Sequence, residues 1–221
     1  MGHITYENIK QHSEINAYIN KGNDVLGVLG YTDHGPGHTT KVAETAANIL
    51  TKLDYDARTV ELARIAGYIH DIGNMANRKD HAQTGALIVF SLLRELNMDP
   101  TELAEIVAAV GNHDEDCGIA ISPISAALII ADKTDVRRSR VRNYDISTFD
   151  IHDRVNYAVT HSGLDIDAKS KIISLNLEID NNICPVMDYF EIFLSRMLMC
   201  RKSADFLDIT FSLVINNAKI M

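Results

Sequence analysis

Apolar residues recur at helical spacing through the first two thirds of the chain. In these segments an apolar side chain returns every three or four positions, and polar residues occupy the remaining face. Pro100 follows Asp99, with Glu102 completing a capping box, and Pro123 follows Ser122, so both mark helix starts. The predicted helices cover about 37–53, 56–72, 82–96 and 100–112, with a further one beginning at Ser122. The pattern predicts a helical bundle, with no strand before residue 170.

The pattern changes after Asp150. Residues 152–161 are predicted to form one short helix. Beyond them apolar and polar residues alternate in two stretches, which is the period of a half-buried strand, and an apolar helix lies between the two. These elements are a strand over 173–180, a helix from Pro185 to about Ser203 and a strand over 209–216.

The order of these elements predicts a mainly α fold with a small C-terminal α+β appendage. We assign residues 1–145 to the helical domain, and 146–221 to a β-α-β unit packed on it. A chain of 221 residues with 46% apolar residues is long enough to bury one sizeable core.

Composition and charge narrow the choice of partners. With 21 basic and 30 acidic residues the net charge is −9, which disfavours nucleic-acid polymers and anionic membranes but not a small phosphorylated ligand. The longest apolar stretch, 85–93, is far short of the ~20 residues that a bilayer requires. The N-terminus lacks a basic leader, and Cys117, Cys184 and Cys200 form no Cys-x-x-Cys pair. We therefore expect reduced thiols and a cytoplasmic location.

Four histidines and two aspartates stand out because they lie at helix ends or inside an apolar helix: His38, His70, Asp71, His81, His113 and Asp132. A lone carboxylate buried in an apolar helix requires a cation. Imidazole and carboxylate ligands suit Fe, Mn, Zn, Ni or Co, and six ligands fit two divalent ions with a bridging carboxylate better than one. Each histidine alone would be interpreted as a helix cap, and only the spacing of the whole set favours ligands.

Five short segments carry that spacing: His38-Thr-Thr-Lys-Val-Ala, Tyr68-Ile-His-Asp-Ile-Gly, His81-Ala-Gln-Thr-Gly-Ala, Gly111-Asn-His and Ala131-Asp-Lys. Together they resemble the HD superfamily of metal-dependent phosphohydrolases, over about residues 30–142. The resemblance implies a helical HD-domain bundle that binds one ion through His38, His70, Asp71 and Asp132. It also implies a second ion at His81 and His113, with Asp71 as the bridging ligand.

Within the superfamily, the His-x-x-x-Gly-Ala segment and the Ala-Asp-Lys segment followed by Asp135 and Arg138 are similar to bacterial diadenosine tetraphosphate hydrolases. Cyclic-di-GMP phosphodiesterases of the HD-GYP type match less well, because their GYP segment is absent and Asn74 replaces their lysine. The resemblance implies hydrolysis of a phosphate ester or anhydride of a small molecule, with a nucleotide favoured, by a hydroxide that bridges the two metals.

Roles follow for residues around the predicted ligands. Asp71 is expected to be catalytic as the bridge, and His34 is either a general acid for the leaving group or an ordinary loop histidine. Arg138 and Lys133 are the expected substrate-binding residues. The basic run 137–142 is expected to continue the helix of Asp132, with favourable charge at a helix C-terminus as the alternative interpretation.

Asp135 is expected to position Lys133 or a water molecule, or to pair with Arg138.

Two other function classes remain open. The same six ligands occur in HD proteins that are di-iron oxygenases, and a domain that keeps its metals can serve as a nucleotide sensor. In the second case the β-α-β unit would be the sensor or, through its open strand edges, the interface of a homodimer.

Overall fold

A computed structural model describes residues 3–116 and 118–221 of the chain. Cys117, one of the three predicted reduced thiols, lies outside the described residues. The helices are α1 (Tyr6–Lys10), α2 (Ser13–Val28), α3 (Pro36–Lys52), α4 (Ala57–Ile69), α5 (His81–Glu95), α6 (Pro100–Gly111), α7 (Pro123–Lys133), α8 (Ile151–Ala158) and α9 (Val186–Phe206). Short 3-10 helices lie at Ile72–Met75, Arg138–Arg140 and Ile146–Thr148. The predicted helical bundle is confirmed.

The helix starts follow the sequence signals. Asp99 accepts hydrogen bonds from the backbone N–H groups of Thr101 and Glu102, and Pro100 occupies the first turn of α6. The expected capping box is only half formed, because the Glu102 carboxylate pairs with the guanidinium of Arg58 on α4. This pair fixes the start of α6 against α4.

Helices α3 and α4 pack closely at the centre of the bundle. A Cβ atom added at Gly67 would lie 2.7 Å from Ala43 Cα, so the two backbones approach as only glycine permits. Helix α7 lies against both and is buried almost all round, including Ile129 and Ile130. The ends of these helices therefore meet in the interior of the protein.

The C-terminal part contains a four-stranded sheet in the order β1-β2-β3-β4, formed by β1 (Val159–Asp167), β2 (Ile172–Ile179), β3 (Thr210–Ile215) and β4 (Ala218–Lys219). Strands β2 and β3 are parallel, and α9 connects them. The predicted β-α-β unit is therefore present. The other two strand pairs are antiparallel.

Two predictions about this region are wrong. Residues 152–161 are not one helix, since α8 ends at Ala158, and a strand does precede residue 170, since β1 begins at Val159. Strand β1 has few apolar positions, so its sequence shows no alternating pattern that would predict a strand. It forms because its backbone pairs with β2. Strand β4 follows a tight turn in which Asn216 and Asn217 both have positive φ.

Helix α9 packs against α7, and one hydrophobic core runs through the helical and C-terminal parts. Tyr189, Phe193 and Met197 of α9 are buried in it. The division into 1–145 and 146–221 stays a prediction.

Cys184 and Cys200 are buried free thiols. No helix within the described ranges has both the length and the hydrophobicity needed to cross a bilayer.

Gly73 offers a test of how tightly α5 is held. An added Cβ would lie 2.0 Å from the His81 carbonyl oxygen and 2.5 Å from the Gly85 backbone nitrogen. We expect Gly73→Ala to lower the free energy of unfolding by about 1–3 kcal/mol, because rigid backbone must move to make room. Urea denaturation of the metal-free protein measures this change.

The matched control is Gly37→Ala in α3, where an added Cβ would meet nothing within 4 Å. Alanine is the better helix former, so the control is expected to be neutral or slightly stabilising. Equal stability of the two variants would contradict the close approach at Gly73.

Candidate metal centre

All six predicted metal ligands lie at helix ends that converge in the interior. His38 lies in the first turn of α3, His70 and Asp71 follow α4, His81 begins α5, His113 follows α6, and Asp132 lies in the last turn of α7. The four histidines are at most 1% exposed and Asp71 is 7% exposed. Their ligand atoms form overlapping groups in which all atoms lie within 4.8 Å of one another. The structure thus brings the whole predicted set together.

Asp71 faces two separate pairs of histidines. Its Oδ2 atom lies 3.7 Å from His38 Nε2 and 3.3 Å from His70 Nε2. Its Oδ1 atom lies 3.4 Å from His81 Nε2 and 3.8 Å from His113 Nε2. One carboxylate therefore offers one oxygen to each pair.

The other ring nitrogen of each histidine is held by an acceptor. His38 Nδ1 lies 2.8 Å from Asp135 Oδ2, and the Nδ1 atoms of His70, His81 and His113 lie 2.6–3.1 Å from the carbonyl oxygens of Gly67, Arg78 and Val110. Carbonyl and carboxylate oxygens only accept, so each Nδ1 carries a proton and donates it. Such hydrogen bonds fix the tautomer and point Nε2 at the cluster, as is typical of metal-binding histidines.

Two of the four Nε2 atoms have no hydrogen-bond partner among the residues described, and the other two face each other. His38 Nε2 and His70 Nε2 are fully buried and have no hydrogen-bond partner in the described part of the chain. His81 Nε2 lies 3.1 Å from His113 Nε2, so two lone pairs face each other, and Arg78 Nη1 approaches His81 Nε2 to 3.2 Å. Such an arrangement requires a shared cation. The nitrogen and oxygen donors fit a divalent transition metal.

The HD-domain family matches residues 37–137, a segment that contains all six clustered ligands. Residues 37–137 are thus similar to an HD domain. A curated relative, the uncharacterized protein MJ1020 of Methanocaldococcus jannaschii, is 28% identical over 162 residues, which are 63% of this chain and 62% of the relative. The chain thus spans less than two thirds of that relative's length.

A solved structure is also similar to this chain. It is a predicted HD superfamily hydrolase from an uncultured Thermotogales bacterium, with 25% sequence identity and a TM-score of 0.44. The match covers 56% of this chain and 67% of the other.

Asp132 completes the cluster of six predicted ligands. Its Oδ1 atom lies 3.4 Å from His38 Nε2 and 3.6 Å from His70 Nε2. Its Oδ2 atom lies 2.8 Å from Lys133 Nζ, which in turn lies 2.6 Å from Glu115 Oε2. The predicted substrate-binding residue Lys133 is therefore already paired with two carboxylates.

Burial and charge act against each other at the cluster. Burial alone would raise the pKa values of Asp71 and Asp132, but the neighbouring His70 and, for Asp132, Lys133 hold both well below their usual range. Burial alone would lower the pKa of His70, but Asp71 and Asp132 outweigh it and raise that pKa to about 10. Without a metal, a proton on His70 therefore supplies the positive charge that the carboxylates require.

Asp135 is a site residue whose role the sequence did not reveal. It is buried, and besides His38 it pairs with Arg137, while Arg140 Nη1 lies 3.9 Å from its Oδ2. The prediction that it pairs with Arg138 is wrong. These neighbours and the His38 hydrogen bond keep the pKa of Asp135 below its usual range against the effect of burial. Asp135 thus stays ionised and fixes the His38 ring.

Arg138 lies elsewhere than predicted. Helix α7 ends at Lys133, so the basic run does not continue it. Arg138 Nε donates to the Tyr157 carbonyl, and its guanidinium lies 4.4 Å from the centroid of the Tyr157 ring. Arg140, and not Arg138, lies beside the cluster. Its Nε atom donates to the Asp33 carbonyl at 2.9 Å, and its Nη1 atom donates to the Asp135 carbonyl at 2.8 Å.

His34 packs edge to face against His38, with ring centroids 5.3 Å apart. Its Nδ1 donates to the Thr32 carbonyl at 2.7 Å. Burial, and then the charge of Arg140, hold the pKa of His34 well below its usual value. The ring is therefore neutral near pH 7, which is the state of a proton acceptor rather than of the expected general acid.

A small cavity of about 10 Å³ lies over the cluster, lined by His34, Asp71, Arg78, His81, Asp132, Lys133, Arg140 and Arg196. Sequence reasoning missed Arg78, Glu115 and Arg196. Arg196 had a signal, since it is the one charged residue between Ile192 and Cys200 in an otherwise apolar helix. Arg78 and Glu115 lie in connecting segments, where no periodicity predicts direction.

Metal binding is expected to release a proton. At pH 7.5 the metal-free protein holds a proton on His70, whose pKa is about 10, and a metal ion must displace it. Affinity should therefore rise about tenfold per pH unit between pH 7 and 9 from this group alone. Calorimetric titration with Mn²⁺ in buffers of different ionisation enthalpy counts the protons.

The control for this titration is His161→Ala, which alters an exposed histidine of β1 and should leave the proton count unchanged. Uptake of Mn²⁺ without proton release would contradict the charge balance described for His70.

Proposed function

We propose that this chain is a metal-dependent phosphohydrolase that acts on a small phosphorylated molecule. The observation that carries the proposal is the division of the Asp71 carboxylate between two groups of histidine nitrogens. Asp71 Oδ2 with His38, His70 and Asp132 would hold one ion, and Asp71 Oδ1 with His81 and His113 would hold the second. The match of residues 37–137 to the HD-domain family supports a hydrolase.

When bound, the two ions supply a Lewis acid for the phosphoryl oxygens and lower the pKa of a water molecule to near neutrality. The chain's own residues orient the predicted ligands and limit the access of water. Asp135 and three backbone carbonyls fix the histidine rings, and burial of the cluster limits access by bulk water. His34, whose lowered pKa keeps the ring neutral near pH 7, is the residue that we propose accepts a proton.

The charge of the cavity favours a phosphoryl substrate. Four cationic side chains line it, namely Arg78, Lys133, Arg140 and Arg196, against two carboxylates, Asp71 and Asp132. Guanidinium groups bind phosphate oxygens through charge-assisted hydrogen bonds. The aromatic residues Tyr31 and Phe193 line the wider cleft that continues from the cavity. A nucleotide is therefore the substrate class that we propose to test first.

The decisive experiment is an activity panel on the metal-loaded protein. We expect hydrolysis of nucleotides, dinucleotide polyphosphates or sugar phosphates with Mn²⁺, Fe²⁺ or Co²⁺, and loss of activity with a chelator. Asp71→Asn should reduce turnover at least ~10³-fold, since the bridge is removed while the shape is kept. Full turnover in that variant would exclude the bridge. Oxygen uptake without phosphate release would instead identify a di-iron oxygenase.

A second variant tests the number of ions. His81→Ala removes a nitrogen from the pair that faces Asp71 Oδ1, so the protein should bind one metal ion where the wild type binds two. Elemental analysis after dialysis measures the ratio, and circular dichroism verifies that the helices persist. His161→Ala is the control. Unchanged metal content in His81→Ala would mean that the second ion is misassigned.

A further inference from the structure

A wider cleft continues from the cavity over the cluster, and the C-terminal part of the chain forms one of its walls. The cleft has a volume of about 250 Å³ and shares His34, Arg78, Arg140 and Arg196 with the cavity. Helix α8 contributes His152 and Asn156 to its lining, and α9 contributes Phe193 and Arg196. The appendage therefore borders the space that a substrate of the metal centre must enter.

Arg196 is held rigidly at this wall. Its Nε atom donates to Glu115 Oε1 at 2.9 Å, and its guanidinium lies 5.0 Å from the centroid of the Phe193 ring. Its two terminal nitrogens make no hydrogen bond within residues 3–116 and 118–221. A fixed guanidinium plane with free terminal donors is suited to binding two oxygens of one phosphoryl group.

Arg196 is also connected to the metal ligands. Glu115, which binds Arg196, lies 2.6 Å from Lys133 Nζ, and Lys133 lies 2.8 Å from Asp132 Oδ2. Each charge in this series of four side chains is paired with the next, so the position of Arg196 is set relative to the cluster. An anion bound there would have a fixed distance to a group held at the metals.

Two further guanidinium groups face the same space from other elements. Arg140 uses Nε and Nη1 on backbone carbonyls, which leaves its Nη2 atom without a hydrogen bond in the described residues. Arg78 lies 5.6 Å from the centroid of the Tyr31 ring. Each of these arginines also has a carboxylate beside it, since Arg78 Nη2 lies 3.9 Å from Asp114 Oδ1 and Arg140 Nη1 lies 3.9 Å from Asp135 Oδ2. A second anion site is therefore supported by the donors of Arg196 and Arg140 that remain without a hydrogen bond, and not by surplus charge.

We propose that Arg196 binds a second phosphoryl group of the substrate, and that the C-terminal unit thereby selects molecules carrying two or more phosphates. The inference rests on the proposed function only in that the metal centre holds the first phosphoryl group. Arg196 is then a specificity-determining residue, with Glu115 as its positioning residue. Arg140 and Arg78 contribute to the same anion site.

The test compares two probes that need no turnover. The full-length protein loaded with Mn²⁺ is titrated calorimetrically with methylenediphosphonate, a non-hydrolysable diphosphate, and with inorganic phosphate. We expect the wild type to prefer the diphosphonate, and Arg196→Met to reduce that preference about tenfold, as expected for one charge-assisted contact. Metal content is measured after each titration, because a diphosphonate can also extract metal ions.

Arg201→Met provides the matched control, since Arg201 lies on the same helix and is exposed. It should keep the wild-type preference. If Arg196→Met fails to fold, Arg196→Lys carries the test: it keeps a positive charge near Glu115 but loses the planar fork, and should lower the preference severalfold. An unchanged preference, or an equal loss of affinity for both probes, would overturn the inference.

The outcomes separate this inference from the proposed function. If the wild type hydrolyses no phosphorylated compound but its diphosphonate preference depends on Arg196, the hydrolase fails and the anion site stands. If the wild type hydrolyses diphosphates and Arg196→Met retains its kcat/KM for them, the hydrolase stands and the anion site fails.

Discussion

Buried carboxylates that require positive charge dominate the interior of this protein. Asp71 and Asp132 are ionised where burial leaves little contact with water, and four imidazole nitrogens point at the same cluster, two of which, His38 Nε2 and His70 Nε2, have no hydrogen-bond partner among the described residues. Helices α3 and α5 begin at this cluster, and α4, α6 and α7 end at it, so any packing error in the bundle would separate the groups that neutralise one another. The bundle and the site therefore depend on the same convergence, and a divalent cation is the component that satisfies both.

A second layer of charge surrounds the cluster and extends it in two directions. On one side Asp135 fixes His38 and is itself held by Arg137 and Arg140. On the other side Asp132, Lys133 and Glu115 lead to Arg196 on α9. These outer residues decide where the ligands point and which charges face the cleft. Interactions of this kind commonly tune metal affinity as strongly as the ligands themselves.

The C-terminal sheet contributes to the site through the helices packed beside it. Parallel pairing of β2 and β3 requires a crossover, and α9 is that crossover. Its buried face packs against α7, the helix that carries Asp132, so the crossover brings Phe193 and Arg196 to the cleft. The appendage is thus structurally continuous with the metal centre.

The sequence by itself determined the helices of the bundle, the β-α-β order and the six residues that converge, because periodicity and capping act locally and the HD spacing constrains the set. It did not determine β1, whose hydrogen bonds come from β2, nor the end of α7 before the basic run, which turned Arg138 towards Tyr157 and brought Arg140 to the cluster. It also gave no means of pairing Glu115 with Lys133 and Arg196. Those contacts join residues up to 81 positions apart, and direction and distance between remote segments arise only when the helices pack.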